Sequence, residues 1–337
     1  MTLTILIFGF LFGAILQYSK LNRFNTISGM ALLTDFTMAK AIVVAIGFGI
    51  IILNIEIGLG FASYHIKPLL LGGILTGGII FGIGMAILGY CPGTLAISIG
   101  EGSLDALIGL IGAMAGGVVY TVLVPSIKWI LVPDFGPIAL KSVVTGSAPV
   151  FYLLVLISGG ILIGIAFWLN KIEKTKDFKW LYSGIALAVL TSVIFLTSTT
   201  NRVLGASGFY PYLGDLITGT TDNEYYKSIA ISGHWEMIFL IGALLSGLIL
   251  SLIRKDFRII LIHDNWKKYK GKSNLKRIVW SFVGGFLLII GARLAGGCTS
   301  GHIISGGMQL ALSSYLFGIF VFGSFLLTGK VFYKMTR

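Results

Sequence analysis

No aspartate, glutamate, lysine or arginine occurs between Pro68 and Gly100. A helix needs about 20 apolar residues to cross a bilayer, so this interval is too long for one simple span. Nor can it be irregular and face lipid. Backbone N–H and C=O groups at membrane depth must pair internally, and non-helical chain is tolerated there only inside protein or along a cavity. The interval is therefore expected to hold a spanning helix to about Tyr90 and a short re-entrant piece behind it. The interval 294–329 is also free of these four residue types and also overlong. It fits the end of a span, a second re-entrant piece after Cys298, and a last span near 312–329.

The rest of the chain agrees with a membrane protein. It is 56% hydrophobic and 11% charged, against about 25% charged in soluble domains. Its 46 glycines favour close helix–helix approach and broken helices in lipid. The N-terminus has no basic segment ahead of its apolar run and reads as a span, not a cleaved leader. Charge-free intervals predict spans at 1–17, 41–55 (extended by a snorkelling Lys40), 68–90, 106–127, 148–169, 180–199, 237–253, 278–296 and 312–329. The fold class predicted is an all-α integral membrane protein with about nine transmembrane helices plus short re-entrant ones. With the N-terminus outside, the inner segments 18–40, 91–105, 170–179, 254–277 and 330–337 hold 19 of the 25 Lys and Arg. That asymmetry favours an outer N-terminus and a cytoplasmic C-terminus. It also accounts for the net charge of +12 without invoking nucleic acid.

The two overlong intervals resemble each other. "GGIIFGIGMAILGYCPGT" from Gly77 and "GGFLLIIGARLAGGCTSG" from Gly284 align at an offset of 207, pairing Gly84 with Gly291, Gly89 with Gly296, and Cys91 with Cys298. These are the two cysteines of the chain. "SKLNRFNTISG" after the first span and "TTNRVLGASGF" after the sixth also correspond. The first unit starts outside and the second inside, so they are two inverted-topology repeats, 1–130 and 180–337, joined by 131–179. Inverted repeats with broken helices are a transporter signature, with the site between the repeats near the midplane.

Pro92 cannot continue a helix ladder, and Thr299, Ser300 and Gly301 are turn and cap chemistry. Each cysteine thus stands at a chain break, Cys91 reached from inside and Cys298 from outside. Short helices after them, Thr94–Gly100 and His302–Leu310, would aim N–H groups at the centre, which suits a small anion. Thr94, Thr299 and Ser300 are candidates to hold its oxygens. Arg293 is the basic residue read inside a span, an attractor for the anion or a structural lock; Arg202 could recruit anions or snorkel. His302 lies four residues past Cys298, but two ligands make no metal site, and a capping or path-lining imidazole is expected. Glu101 and Asp105 read as solvated, His65, His234 and His263 as surface residues, and Trp129, Trp168, Trp235 and Trp280 as interfacial anchors. No metal and no cofactor is predicted.

"GYCPGT", "GARLAGGCTSGH" and "RVLGASG" resemble the motifs of the YeeE/YedE sulfur-transport family, in the same order over nearly the whole chain. The resemblance implies an hourglass-like protein of nine spanning helices, with re-entrant helices at the waist, in the bacterial inner membrane. It implies thiosulfate as substrate, Cys91 and Cys298 as path residues whose thiols meet its terminal sulfur, and a small cytoplasmic TusA-like sulfurtransferase as partner. The chain departs from the family in one place. Where a third cysteine is expected, "QYSKLNRFN" carries Asn22, or Asn25 if the segment slips by three. That leaves a related sulfur anion open. A membrane thiol oxidoreductase, using Cys91 and Cys298 as a redox pair, and a channel for another small anion are the competing functions; no CxxC supports the first. No GxxxxGK[ST] motif is present, so ATP does not drive uptake on this chain.

Overall fold

The computed structural model describes residues 1–144 and 146–334; the end of the basic 330–337 segment, residues 335–337, lies outside them. Its elements are α1 (Thr2–Tyr18), α2 (Phe24–Ala31), α3 (Thr37–Gly58), α4 (Leu71–Leu88), α5 (Pro92–Gly100), α6 (Leu104–Ile127), α7 (Leu140–Val143), α8 (Ala148–Glu173), α9 (Lys179–Phe195), α10 (Phe209–Thr218), α11 (Glu224–Ile253), α12 (Asp264–Lys270), α13 (Asn274–Leu294), a π-helical segment Thr299–Gly306, and α14 (Leu312–Lys334). The protein is all-α. Among the described residues, seven stretches are long and apolar enough to cross a membrane, and α1 and α9 are shorter apolar helices of 17 residues. Together they stand where the nine predicted spans stand.

Several boundaries moved, and α3 and α11 show the reason. α3 runs from Thr37 to Gly58, well beyond 41–55, and carries Lys40 inside it. Lys40 does not snorkel. It is buried, pairs with Glu173, donates to Asn170 Oδ1 at 3.0 Å and Thr175 Oγ1 at 3.1 Å, and lies over the Trp180 ring. α11 starts at Glu224, ahead of 237. Partnered charges enter helices that a charge-free criterion cuts short.

Glycine sets the centre of the fold. α4 and α13 pack antiparallel, backbone to backbone. A Cβ on Gly77 would sit 2.6 Å from Gly291 O, and one on Gly84 would sit 2.8 Å from Gly284 O. Shifting either contact by 207 residues gives the other. The remaining pairings repeat in the same way: α6 packs on α13 as α14 packs on α4, and α1 on α11 as α9 on α3. α8 stands outside this scheme, packs on α3, and leaves most of its length uncovered. Both glycine-rich helices end through a left-handed glycine at matching places, Gly89 (φ 79°) and Gly296 (φ 75°). The absence of a Cβ makes that turn accessible.

Candidate functional site

Each cysteine follows its left-handed glycine by two residues and starts a new helix. Cys91 caps α5, where its N–H donates to Thr94 Oγ1 at 2.8 Å, the Thr94 hydroxyl bonds back to Cys91 O, and Pro92 fills the first helical position. Cys298 begins the π-helical segment, and its carbonyl accepts from His302 N at 2.8 Å. The observed re-entrant helices, Pro92–Gly100 and Thr299–Gly306, start earlier than predicted because the cysteines themselves serve as caps; the second also ends earlier and winds as a π-helix.

The two thiols approach each other at the centre. Both are free and buried. Cys91 Sγ lies 3.4 Å from Thr94 Oγ1, and the Thr299 hydroxyl from the other break lies near the same thiol. Cys298 Sγ lies 3.1 Å from Ser300 Oγ. Tyr210, buried on α10, lies near both cysteines and donates to Pro92 O at 2.5 Å. Thr94, Thr299 and Ser300 are thus gathered around the two sulfurs.

A cavity of about 190 Å³ opens at the end of the molecule where the 59–70 loop joins α3 to α4, and it reaches Cys298. Its charged walls are Lys67, Arg202, Arg293 and Glu236. Arg293 Nε donates to Tyr225 Oη at 2.6 Å and Nη1 to Ser207 Oγ at 3.3 Å. Arg202 lies over the Trp235 ring at 5.6 Å. Lys67 donates to Gly296 O at 2.5 Å. Burial holds its ammonium down to about 8. Two glycines make room for these groups: a Cβ on Gly297 would meet Lys67 Nζ at 2.0 Å, and one on Gly205 would meet Glu236 Oε1 at 2.3 Å.

A second polar cavity, about 320 Å³, opens at the opposite end among Arg23, Glu101, Asp256, Arg258 and His263, with Ser98 on its wall. Asn22 lies behind Ser98, fully buried. It accepts the Ser98 hydroxyl on its carbonyl at 2.7 Å and places Nδ2 3.4 Å from Ser98 Oγ, while its Oδ1 has no partner. Asn25 is instead tied to α12 through Asn265.

Several residues differ from their sequence reading. Asp105 is fully buried, not solvated: it pairs with Arg277, accepts from Tyr90 Oη at 3.2 Å, and lies 3.1 Å from His263 Nε2. His263 is therefore a partner inside the fold. Glu101, mostly buried, accepts from Gln17 Nε2 at 2.8 Å. Arg293 is not the one basic residue within the apolar helices, since Lys40 and Arg277 are buried within α3 and α13. Arg277 is sandwiched between the Phe24 and Trp266 rings and donates to Ile87 O and Leu88 O. It thereby satisfies carbonyls that the end of α4 leaves open just before Cys91. Trp235 is buried and stacks on Phe239 instead of anchoring in the interface. His302 engages both ring nitrogens, with Ala295 O at 2.7 Å and Ser314 Oγ at 3.1 Å. Lys67, Glu236, Tyr210 and Ser98 were missed. Lys67 could have been singled out as the basic residue of the 54–67 segment; the other three carry no sequence signal.

One cavity reaches Cys298, and the other reaches Ser98 on the helix that Cys91 caps. Thiosulfate transporter TsuA of Spirochaeta thermophila is 27% identical over 330 residues, which cover 94% of this chain and 94% of that one. A family model described as sulphur transport matches residues 19–327, a range that takes in both breaks and every wall residue of both cavities. The chain belongs to this family of multi-pass sulphur-transport membrane proteins.

Proposed function

We propose that this chain takes up thiosulfate, or a closely related small sulfur anion, across the bacterial inner membrane through a path that passes Cys298 and then Cys91. The carrying observation is the outer cavity: three cationic side chains and one carboxylate surround a pocket whose floor is a buried thiol at a helix start. Cationic groups and helix N-termini attract an anion. Thiols are weak hydrogen-bonding groups, and weak, repeated sites let an ion bind and leave again. A soft terminal sulfur suits the thiols, and a sulfate-like head suits the hydroxyls of Thr94, Thr299 and Ser300 and the Arg293 guanidinium. The relative named as a thiosulfate transporter supports that substrate.

In this reading the halves 1–130 and 180–337 are inverted repeats joined by 131–179. The N-terminus is outside, the C-terminus is cytoplasmic, and the anion leaves past Ser98 and Asn22 into the inner cavity. No bond in the anion is broken on the way, so the protein is a carrier and not an enzyme. A cytoplasmic TusA-like sulfurtransferase takes up the product. Growth rescue of a bacterium lacking thiosulfate uptake tests the proposal, with Cys91→Ala and Cys298→Ala beside the parent and with sulfate, sulfite and chloride as competitors. Rescue by the parent and its loss in both variants is expected. Normal uptake by a well-expressed alanine variant overturns the path. Preference for chloride or sulfate makes it a different anion channel, and a Cys91–Cys298 disulfide that cycles during turnover makes it an oxidoreductase.

A further inference from the structure

Glu236 is an unexpected residue to find in an anion cavity. It lies on α11 facing Lys67 from the 59–70 loop, Arg202 from the loop before α10, Arg293 from α13, Cys298 at the break, and Tyr210 on α10. Its two oxygens have different surroundings. Oε2 accepts from Gly208 N at 2.6 Å and Phe209 N at 3.1 Å, so it occupies the N-terminus of α10. Oε1 is packed over Gly205, where any side chain would displace it. Gly205 lines the cavity, and among the described residues the hydrogen bonds to this carboxylate go to Oε2, from the backbone amides of Gly208 and Phe209.

With no anion present, the carboxylate offsets one of the three cationic charges around it. A sulfur dianion in the same small cavity must sit close to Glu236, in a site of low effective dielectric where like charges repel strongly. We propose that Glu236 binds one proton at Oε1 each time a sulfur dianion occupies the outer cavity, so that recognition of the anion is proton-linked. The proton comes from the buffer acid in the surrounding solution, which is left as its conjugate base, and stays on Oε1 while the anion is bound. Oε2 keeps its bonds to the start of α10 in both states, so the change does not require refolding. An Oε1–H group can then donate to an oxygen of the anion, where Oε1 in its ionised form would repel it. Proton linkage by a lysine is separable, because Lys67, with its ammonium near 8, is already charged in mildly acidic buffer.

This inference rests on the proposed sulfur-anion function. Isothermal titration of the purified full-length protein with sodium thiosulfate at pH 6.5, in two buffers of different ionisation heat, counts the protons taken up per anion. The parent is expected to take up about one, with affinity weakening as pH rises through the range where Glu236 titrates. Glu236→Gln is expected to take up none, and Glu236→Asp to keep the linkage. Binding by the parent with no buffer-dependent heat overturns the inference and leaves the proposed function standing, as does a full proton taken up by Glu236→Gln. If Glu236→Gln does not fold, the parent and Glu236→Asp decide the matter between them. If neither thiosulfate nor sulfite binds the parent, the sulfur-anion reading fails and this inference falls with it.

Discussion

Lys67 lines the cavity that reaches Cys298, with its ammonium held down to about 8 by burial. The charged form of Lys67 is present below that value and lost above it. About 90% of Lys67 is charged at pH 7 and about 10% at pH 9. A unit charge about 4 Å from another gains about 4 kcal/mol at an effective dielectric near 20. Lys67 is only half-buried, so water and salt reduce its pull on an anion to roughly 1.5 kcal/mol, about a tenfold change in affinity. Initial-rate uptake of radiolabelled thiosulfate at low concentration should therefore fall about five- to tenfold as external pH rises from 7 to 9. Thiosulfate stays a dianion throughout this range, so the fall belongs to the protein. In a Glu236→Gln background, which removes the proton linkage proposed for that carboxyl, Lys67→Arg keeps its charge across the range and should flatten the profile, while Lys67→Met should be weak at every pH. A flat profile in the parent, or the same fall in Lys67→Arg within the Glu236→Gln background, refutes the assignment of Lys67 to anion recognition.

Removing one partner of the buried Arg277–Asp105 pair leaves an uncompensated charge, which costs about 3–5 kcal/mol; Arg277→Met should lower the unfolding temperature in detergent markedly, and Arg277→Met with Asp105→Asn should recover part of it. A Cβ at Gly84 would lie 2.4 Å from Leu288 N, so Gly84→Val should cost about 1–3 kcal/mol or more from overpacking and appear as aggregated protein in size-exclusion chromatography. Asn22→Cys puts a thiol beside Ser98, and competition uptake should shift toward thiosulfate over sulfate. Unchanged preference there would remove Asn22 from the path.

The sequence by itself determined that the chain is an all-helical membrane protein, where it breaks, and that the break is used twice. These are local properties. Apolar runs of fixed length must be helical in lipid, a glycine able to adopt positive φ must stand where each helix ends, and a proline or cap residue must start the next. The packing symmetry around Gly77, Gly84, Gly284 and Gly291 repeats the 207-residue offset that the sequence already carries. The partners of charges were not legible. Lys40, Asp105, Arg277 and His263 all come from charged or loop-flanking segments, and their burial depends on hydrogen-bonding groups up to 190 residues away. The cavity wall is of the same kind. Lys67, Arg202, Glu236 and Arg293 belong to four separate stretches of chain, and only tertiary packing decides that they share one small, poorly solvated space in which their charges act on each other and on an anion.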